Sequence, residues 1–347
     1  MVRISEEPLN KLCIAILRAA GTPLREAKTV SEILVKTSLH GVDSHGVRLI
    51  TRYISEIKSG QLSPKAKVKV LRNTATTAML DDGGGFGFVA AKKAMEMAIR
   101  KAKRYKMGSV GLQGRGHIGA LYYYSMMAVR ENMVGVTLCK GTGHGMAPYG
   151  AVEGTLGINP LAVGIPAGSE LPIVLDMATT VVAAGHLDVM AVRGQKVPEG
   201  WLLRQDGTWE TSPATYRKGE SSLVGFGYPS SEYKGSGLCT IVDALAGGIG
   251  AGCSLDEKGY GHIFMAVDPE GYCPLDEFKA RIDSMIGHVK SAKKRPGFKD
   301  VLLPGEPEWL EEQRRQREGI LVDDAWWKSI LKTAEELGID AQMLIAG

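Results

Sequence analysis

Between residues 76 and 175 short apolar runs alternate with clusters of glycine, and that alternation restricts the fold more than any other feature of the chain. The runs at 76–80, 109–113, 134–139, 161–165 and 173–175 are too short for helices and too apolar for solvated loops, so they read as buried strands. Apolar residues at helical spacing return between them at 88–106 and 120–131. Glycine accounts for 44 of the 347 residues, and the excess falls between periodic segments, where tight turns and close backbone approach call for it.

Helices flank this α/β middle at both ends. Residues 5–60 read as three helices: Ser5 caps the first, Leu9, Leu12, Ile16 and Leu17 line one side of it, and Thr22-Pro23 starts the second, with Ala27, Val30, Ile33 and Leu34 apolar. Beyond the middle, 179–193 reads as a helix, 201–211 as a hairpin around Asp206-Gly207, 235–249 as a small-residue helix and 262–267 as a strand. Amphipathic helices follow at 275–290, 308–318 and 324–337.

Composition narrows the function. A net charge of +4 on 347 residues gives no dedicated nucleic-acid surface. Cys13, Cys139, Cys239, Cys253 and Cys273 are odd in number and lack CxxC spacing, which suits a reducing cytoplasm and supports neither a disulfide framework nor a zinc cage. The N-terminus has no basic-then-apolar leader, and no apolar run approaches the roughly 18 residues of a membrane span.

Several polar clusters sit where strands or helices begin and end. In the stretch 43–53, Gly41 closes the preceding helix, Ser44 caps a new one, and His45 falls in its first turn, where spare N–H groups and the dipole favour an anion. Arg48, Arg52 and Tyr53 follow near the same face, a set that could hold a carboxylate and protonate a neighbouring group; a solvated basic helix start fits the segment equally well. The sequence from Gly85 to Ala90 matches GxGxxA, yet no acidic residue lies near Gln113, where a Rossmann site needs one about 20 positions on, so these glycines read as a turn. His117 lies in a glycine loop after a strand, where it could face a ligand or simply bond local backbone. Gly141, His144, Met146 and Pro148 follow the next strand, Asn159 precedes another, and Leu175, Asp176 and Met177 end one. Asp176 could grip a ribose hydroxyl or cap the following helix, and Lys234 before Gly235 could meet a pyrophosphate. His40, His262 and His288 have no partner pattern and read as structural, and Trp326-Trp327 as core or subunit contact.

In this order, Ser44-His45-Gly46, Gly85-Phe-Gly87, His117-x-Gly119, Met146-Ala-Pro148-Tyr-Gly150, Gly157-Ile-Asn159-Pro160, Asp176-Met-Ala-Thr-Thr180, Pro198-Glu-Gly-Trp201, Lys234-Gly235 and Leu303-Pro-Gly-Glu306 resemble the malate/L-lactate dehydrogenase family unrelated to the Rossmann lactate dehydrogenases. That family also contains ureidoglycolate, sulfolactate and diketogulonate oxidoreductases and piperideine/pyrroline-2-carboxylate reductases. The resemblance covers nearly the whole chain. It implies a non-Rossmann cofactor domain (71–299) built on a largely antiparallel sheet, a helical domain from both ends (1–70 and 300–347), and a homodimer with the active site near the interface. By position, His117 and His45 resemble the two acid/base candidates, with Ser44, Arg48, Arg52 and Tyr53 around the substrate. Gly141, His144, Met146, Pro148, Asn159, Leu175, Asp176, Met177, Lys234, Pro304, Gly305 and Glu306 resemble the nicotinamide cofactor site. Two positions depart from the family pattern: Leu49 stands where an arginine is usual, so Arg48 or Arg52 takes that role, and His144 stands where a proline is usual.

The expectation is a cytoplasmic enzyme that uses NAD or NADP, no metal, and a small carboxylate substrate, moving hydride to or from C2 of a 2-oxo or 2-hydroxy acid. Loop-borne His117 is the first choice for the proton donor, and His45 for polarising or holding the substrate. Reduction of a cyclic 2-imino acid is the alternative within this chemistry. A metal-dependent hydrolase using Asp43, His45, His117 and His144 is the rival from another class, although their spacing matches no compact ligand motif.

Overall fold

A computed structural model describes residues 1–250, 252–253 and 259–345. In chain order the elements are β1 (Val2–Ile4), α1 (Glu6–Ala19), α2 (Leu24–Leu39), α3 (Ile50–Lys58), β2 (Lys69–Asn73), β3 (Thr77–Asp81), α4 (Gly87–Tyr105), β4 (Met107–Gly114), α5 (Tyr122–Val129), β5 (Val134–Lys140), β6 (Leu161–Ile165) and β7 (Ile173–Met177). They continue with α6 (Ala184–Val192), β8 (Leu202–Arg204), β9 (Trp209–Glu210), α7 (Ala214–Arg217), β10 (Ser221–Leu223), α8 (Glu232–Val242), β11 (Tyr260–Val267), α9 (Leu275–Lys290), α10 (Glu306–Glu318), β12 (Ile320–Val322), α11 (Asp324–Glu336) and α12 (Ala341–Ile345).

The glycine-punctuated middle forms one seven-stranded sheet in the order β2-β3-β4-β11-β5-β6-β7. Only β3 and β4 run parallel; the other neighbours are antiparallel, as expected. The late strand β11 inserts between β4 and β5 and brings Tyr260 and His262 into the middle of the sheet. Helices α4 and α5 pack closely on it because glycine stands at the contacts: a Cβ at Gly108 would lie 2.1 Å from Ala98 O, and one at Gly135 2.4 Å from Ser125 O. The outer strand β2 is exposed along its length, carries Lys69 and Arg72, and shifts register between Val70 and Arg72, features that discourage edge-to-edge pairing.

Helices from the two chain ends pack on one another, α1 on α12, α2 on α10 and α3 on α11. A two-stranded ribbon, β1 with β12, ties the ends in register from Val2↔Val322 to Ile4↔Ile320. One apolar core runs from Leu9, Leu12 and Ile33 through Phe88 and Val110 to Phe264 and Ile330. A second, small core of Leu187, Val197, Leu202 and Leu223 holds α6 against the β10-β8-β9 sheet.

Local readings needed correction in places. The helix expected over 179–193 begins only at Ala184, because the preceding residues run extended and bond to distant backbone: Thr179 N–H donates to Ile158 O and Val181 N–H to Val224 O. The helix expected over 235–249 begins at Glu232 and widens to a π-turn over Asp243–Gly247. Strands β1, β2 and β12 carry no alternation strong enough to announce them, and they form by pairing.

Candidate active site

The stretch 43–58 does not start one helix at Ser44. Two 3₁₀ turns, Asp43–His45 and Val47–Leu49, precede α3, and Ser44 makes no side-chain cap. The cause is Gly46, whose backbone is pressed so closely on α2 that a Cβ would lie 2.1 Å from Ser38 Oγ, while Val47 N–H donates to that same oxygen at 3.0 Å. Its extended backbone (φ −87°, ψ −153°) prevents the first turn from propagating. Asp43 is held by Arg315 of α10 at 2.5 and 3.1 Å. His45 therefore sits before a bend, with Arg52 and Tyr53 on the helix after it.

The loop carrying His117 is built by the glycines that imitate a dinucleotide fingerprint. Buried Asp82 accepts from the N–H groups of Arg115 (2.9 Å), Gly116 (2.8 Å) and, through its other oxygen, Gly84 (2.7 Å). Gly87 and Gly116 meet backbone to backbone: a Cβ at Gly87 would lie 2.2 Å from Gly116 O. Gly119 has φ +72°, and a Cβ there would come within 2.6 Å of the Phe88 ring. Small residues thus let α4 and the loop close together and aim the imidazole at His45.

The two imidazoles stack with centroids 5.6 Å apart and planes inclined by 23°. Ser44 Oγ lies 2.9 Å from His45 Nδ1, and Tyr53 Oη 2.8 Å from His117 Nδ1. Both rings border a cleft of about 890 Å³, yet protein surrounds their other sides. Burial, helped by the charges of Arg48 and Arg52, lowers His45 to about 4; burial, with His45 and Arg52 adding to it, holds His117 well below its ordinary range. Both are neutral at pH 7.

The arginines divide. Arg48 is buried: its Nε donates to Ser44 O at 3.0 Å, its Nη2 reaches Gly185 O and Asp188 Oδ2 at 3.4 Å each, and its guanidinium lies 5.0 Å over Trp326. Arg217 grips the same Asp188 with two bonds, at 2.7 and 2.8 Å. Arg52 is half-exposed, borders the cleft, and is tied by Nε to Glu56 at 2.6 Å. Tyr53 does not border the cleft; it is buried against Phe86 and Phe88, which removes it from the group expected around substrate.

Leu175, Asp176, Met177, Pro304 and Gly305 also line the wall, as Gly141 does. Asp176 opens on the cleft and accepts from Tyr122 N–H at 2.8 Å, so it serves α5 and does not cap the helix after Thr179. Loss of hydration raises its pKa to about 6, and Glu308 on the same wall adds a like charge. The remaining expected cofactor residues lie off this wall. Asn159 is fully buried with its amide committed to Gly141 N, Cys239 O and Asp243 Oδ2. Glu306 is buried between Leu303 N–H and Lys290. Met146 is buried and pairs with Leu156 and Leu223; Pro148 is half-buried, and His144 and Lys234 are exposed elsewhere. Asp188, Arg217, Tyr260 and Glu308 join the cleft wall without any local signal, since their partners are far away in sequence. Among the described residues no three His, Cys, Asp or Glu side chains converge to hold a metal ion, and no helix is long and apolar enough to cross a membrane.

Comparison with known proteins shows the family. A family model described as malate/L-lactate dehydrogenase matches residues 4–331. The malate dehydrogenase of Pyrococcus abyssi is 35% identical over 97% of this chain and 94% of its own length. The L-sulfolactate dehydrogenase of Methanocaldococcus jannaschii is 32% identical over 98% of each chain. The crystal structure of malate dehydrogenase from Entamoeba histolytica superposes with a TM-score of 0.92 at 28% identity, over 98% of this chain and 99% of that one. The match runs through both flanking helical regions and the antiparallel sheet alike, and the chain belongs to the malate/L-lactate dehydrogenase family.

Proposed function

We propose that the protein transfers hydride reversibly between NAD(H) and C2 of a small 2-hydroxy or 2-oxo acid that carries a second anionic group, of the malate or sulfolactate kind. The observation that carries this reading is the pair of stacked histidines lining one cleft with Arg52. The cleft volume, about 890 Å³, is within the ~300–1,000 Å³ typical of ligand sites. Its apolar strip of Leu175, Met177 and Pro304 beside the Asp176 carboxylate suits a ribose and an aromatic base. When bound, the nicotinamide supplies or takes the hydride.

The protein's share is the carboxylate and the proton. Arg52 pairs with the substrate carboxylate, and that incoming negative charge makes imidazolium easier to form. In the reducing direction His117, first protonated to imidazolium beside the bound carboxylate, passes its Nε2 proton to the oxygen on C2 and is left neutral with hydrogen on Nδ1; in the oxidising direction Nε2 takes the proton back. His45, kept neutral, holds the same oxygen or the adjacent carboxylate. The second anion is favoured by relatives named for malate and sulfolactate. NAD is favoured over NADP because a 2′-phosphate near Asp176 and Glu308 would meet two carboxylates, and among the described residues no lysine lines the cleft.

The test is oxidation of NADH and NADPH with oxaloacetate, sulfopyruvate and pyruvate, by the wild type and His117→Ala. The first two acids with NADH should react fastest, and His117→Ala should lose roughly 10²-fold or more in kcat while still binding NADH. Near-normal turnover in His117→Ala would remove His117 from the proton step.

A further inference from the structure

We propose that Arg217 is a specificity-determining residue whose guanidinium receives the second anionic group of the substrate, a carboxylate or a sulfonate. The assignment deepens the proposed function and rests on it. Charge balance is the first observation. Asp188 is shared by two guanidiniums: Arg217 meets it with Nε and Nη2 at 2.7 and 2.8 Å, and Arg48 Nη2 approaches it at 3.4 Å. Among the described residues no other carboxylate pairs with either arginine, so one carboxylate faces two cations and one positive charge stays unmatched. An anion entering beside them restores the balance, whereas a methyl group in the same place, as in a lactate-like acid, leaves it unmet.

Of the two cations, Arg217 is the one a substrate can reach. Both border the cleft, but the Arg48 side chain is 8% exposed and lies against Trp326, while that of Arg217 is 56% exposed. Arg217 commits Nε and Nη2 to Asp188, and among the described residues its Nη1 has no hydrogen-bond partner. The group is also held still. Asp188 fixes one edge of the guanidinium and the Tyr216 ring lies under it at 5.5 Å, so little side-chain freedom remains to be lost on binding. Gly185 lets α6 carry Asp188 this close to Arg48: a Cβ there would lie 3.1 Å from Arg48 Nη2 and 3.2 Å from Ser44 Cβ. Asp188 raises the pKa of Arg217 and the Arg52 charge opposes it, so the guanidiniums of Arg217 and Arg52 lie within electrostatic reach of one another. Arg52 stands on α3, whereas α7 joins the small second core through Tyr216. Two separately packed parts of the chain thus read the two ends of the acid, and the second can change preference without disturbing the histidines.

Steady-state kinetics with NADH and oxaloacetate, sulfopyruvate or pyruvate compare the wild type with Arg217→Met. The variant should lose about 10–100-fold in kcat/KM for the two dianions, mainly through KM, while pyruvate stays within about 3-fold; this is the scale of one charge-assisted hydrogen bond. An equal loss for all three acids, the mark of a merely structural role, overturns the proposal, as does no loss for the dianions. Should Arg217→Met not fold, Arg217→Gln retains a donor for Asp188 and makes the same comparison under the same criteria. Turnover of none of the three acids by the wild type would reject the proposed function, and titration calorimetry then reads the site without a reaction. The cofactor-free wild type should bind malate and sulfolactate about 10-fold or more tightly than lactate, and Arg217→Met should abolish that difference. Failure of the wild type to prefer the dianions, or a preference that survives in Arg217→Met, overturns the proposal.

Discussion

Two sets of residues lining the cleft are built on opposite electrostatic plans. In the histidine set, Arg48 and Arg52 act on two imidazoles whose pKa values are lowered, and Arg48 shares Asp188 with Arg217. In the acidic set, Asp176 and Glu308 line the cleft with apolar side chains, and the Asp176 carboxyl has a raised pKa. The difference shows that charge in a site is informative only after its internal partners are subtracted. Arg48 and Arg217 share Asp188, whereas Arg52 is tied through Nε to Glu56 and borders the cleft, so Arg52 is the cation proposed for the substrate carboxylate.

Removing those arginines separately breaks or sharpens this contrast most strongly. Arg52→Met should raise KM for the oxo acid about 10–100-fold, the value of a charge-assisted hydrogen bond, with little change in kcat. Arg48→Met should lower Tm, because Asp188 and Ser44 O lose a buried partner. Steady-state kinetics with thermal melts read both, and the reverse pattern would exchange their roles.

The acidic set gives a smaller effect. Asp176→Asn should weaken NADH about 2–10-fold, as expected for one hydrogen bond, and narrow the gap to NADPH. Fluorescence titration of both cofactors measures it, and equal affinity of the wild type for the two would show that these carboxylates do not select.

The smallest effect is on stability. His45 and His262 are lowered from 6.5 to about 4 and about 3 by burial. As pH falls below 6.5 the unfolded chain takes up protons that the folded chain refuses, so the stability present above pH 6.5 is lost progressively down to about pH 3. Melting curves should show Tm falling by several degrees between pH 7 and 4.5. His262 is 1% exposed between Tyr260 and Phe264 and lies outside the cleft lining, so His262→Leu should flatten that fall. An unchanged slope would mean that other groups dominate.

Much of the scaffold was legible because it follows local rules. Apolar runs between glycines became β3 to β7, and the helices at both ends lie where periodicity puts them. Placement beside the cleft was legible for His45, His117, Arg52 and Asp176, which stand near ends of elements and do border it. Other readings failed for identifiable reasons. A helix from Ser44 was expected because serine and the following residues favour one, but contact of Gly46 with Ser38 interrupts it. Asn159 and Glu306 had the polarity of ligand contacts, yet the fold uses them to satisfy its own buried N–H and carbonyl groups.

By itself, then, the chain's pattern of apolar spacing and glycine placement determined a mixed fold with helices at both ends, and its polar clusters offered His45, His117 and either Arg48 or Arg52 as candidates. Those features depend on propensity, periodicity and steric size, which act over a few residues. Only the tertiary structure decided that the His45 and His117 rings stack, that Tyr53 holds a ring nitrogen 64 positions away in sequence, and that Asp188 neutralises an arginine 140 positions away. Hydrogen bonds and charge pairs act over a few ångströms of space irrespective of chain separation, so packing chose which polar groups were consumed and which were left facing the cleft.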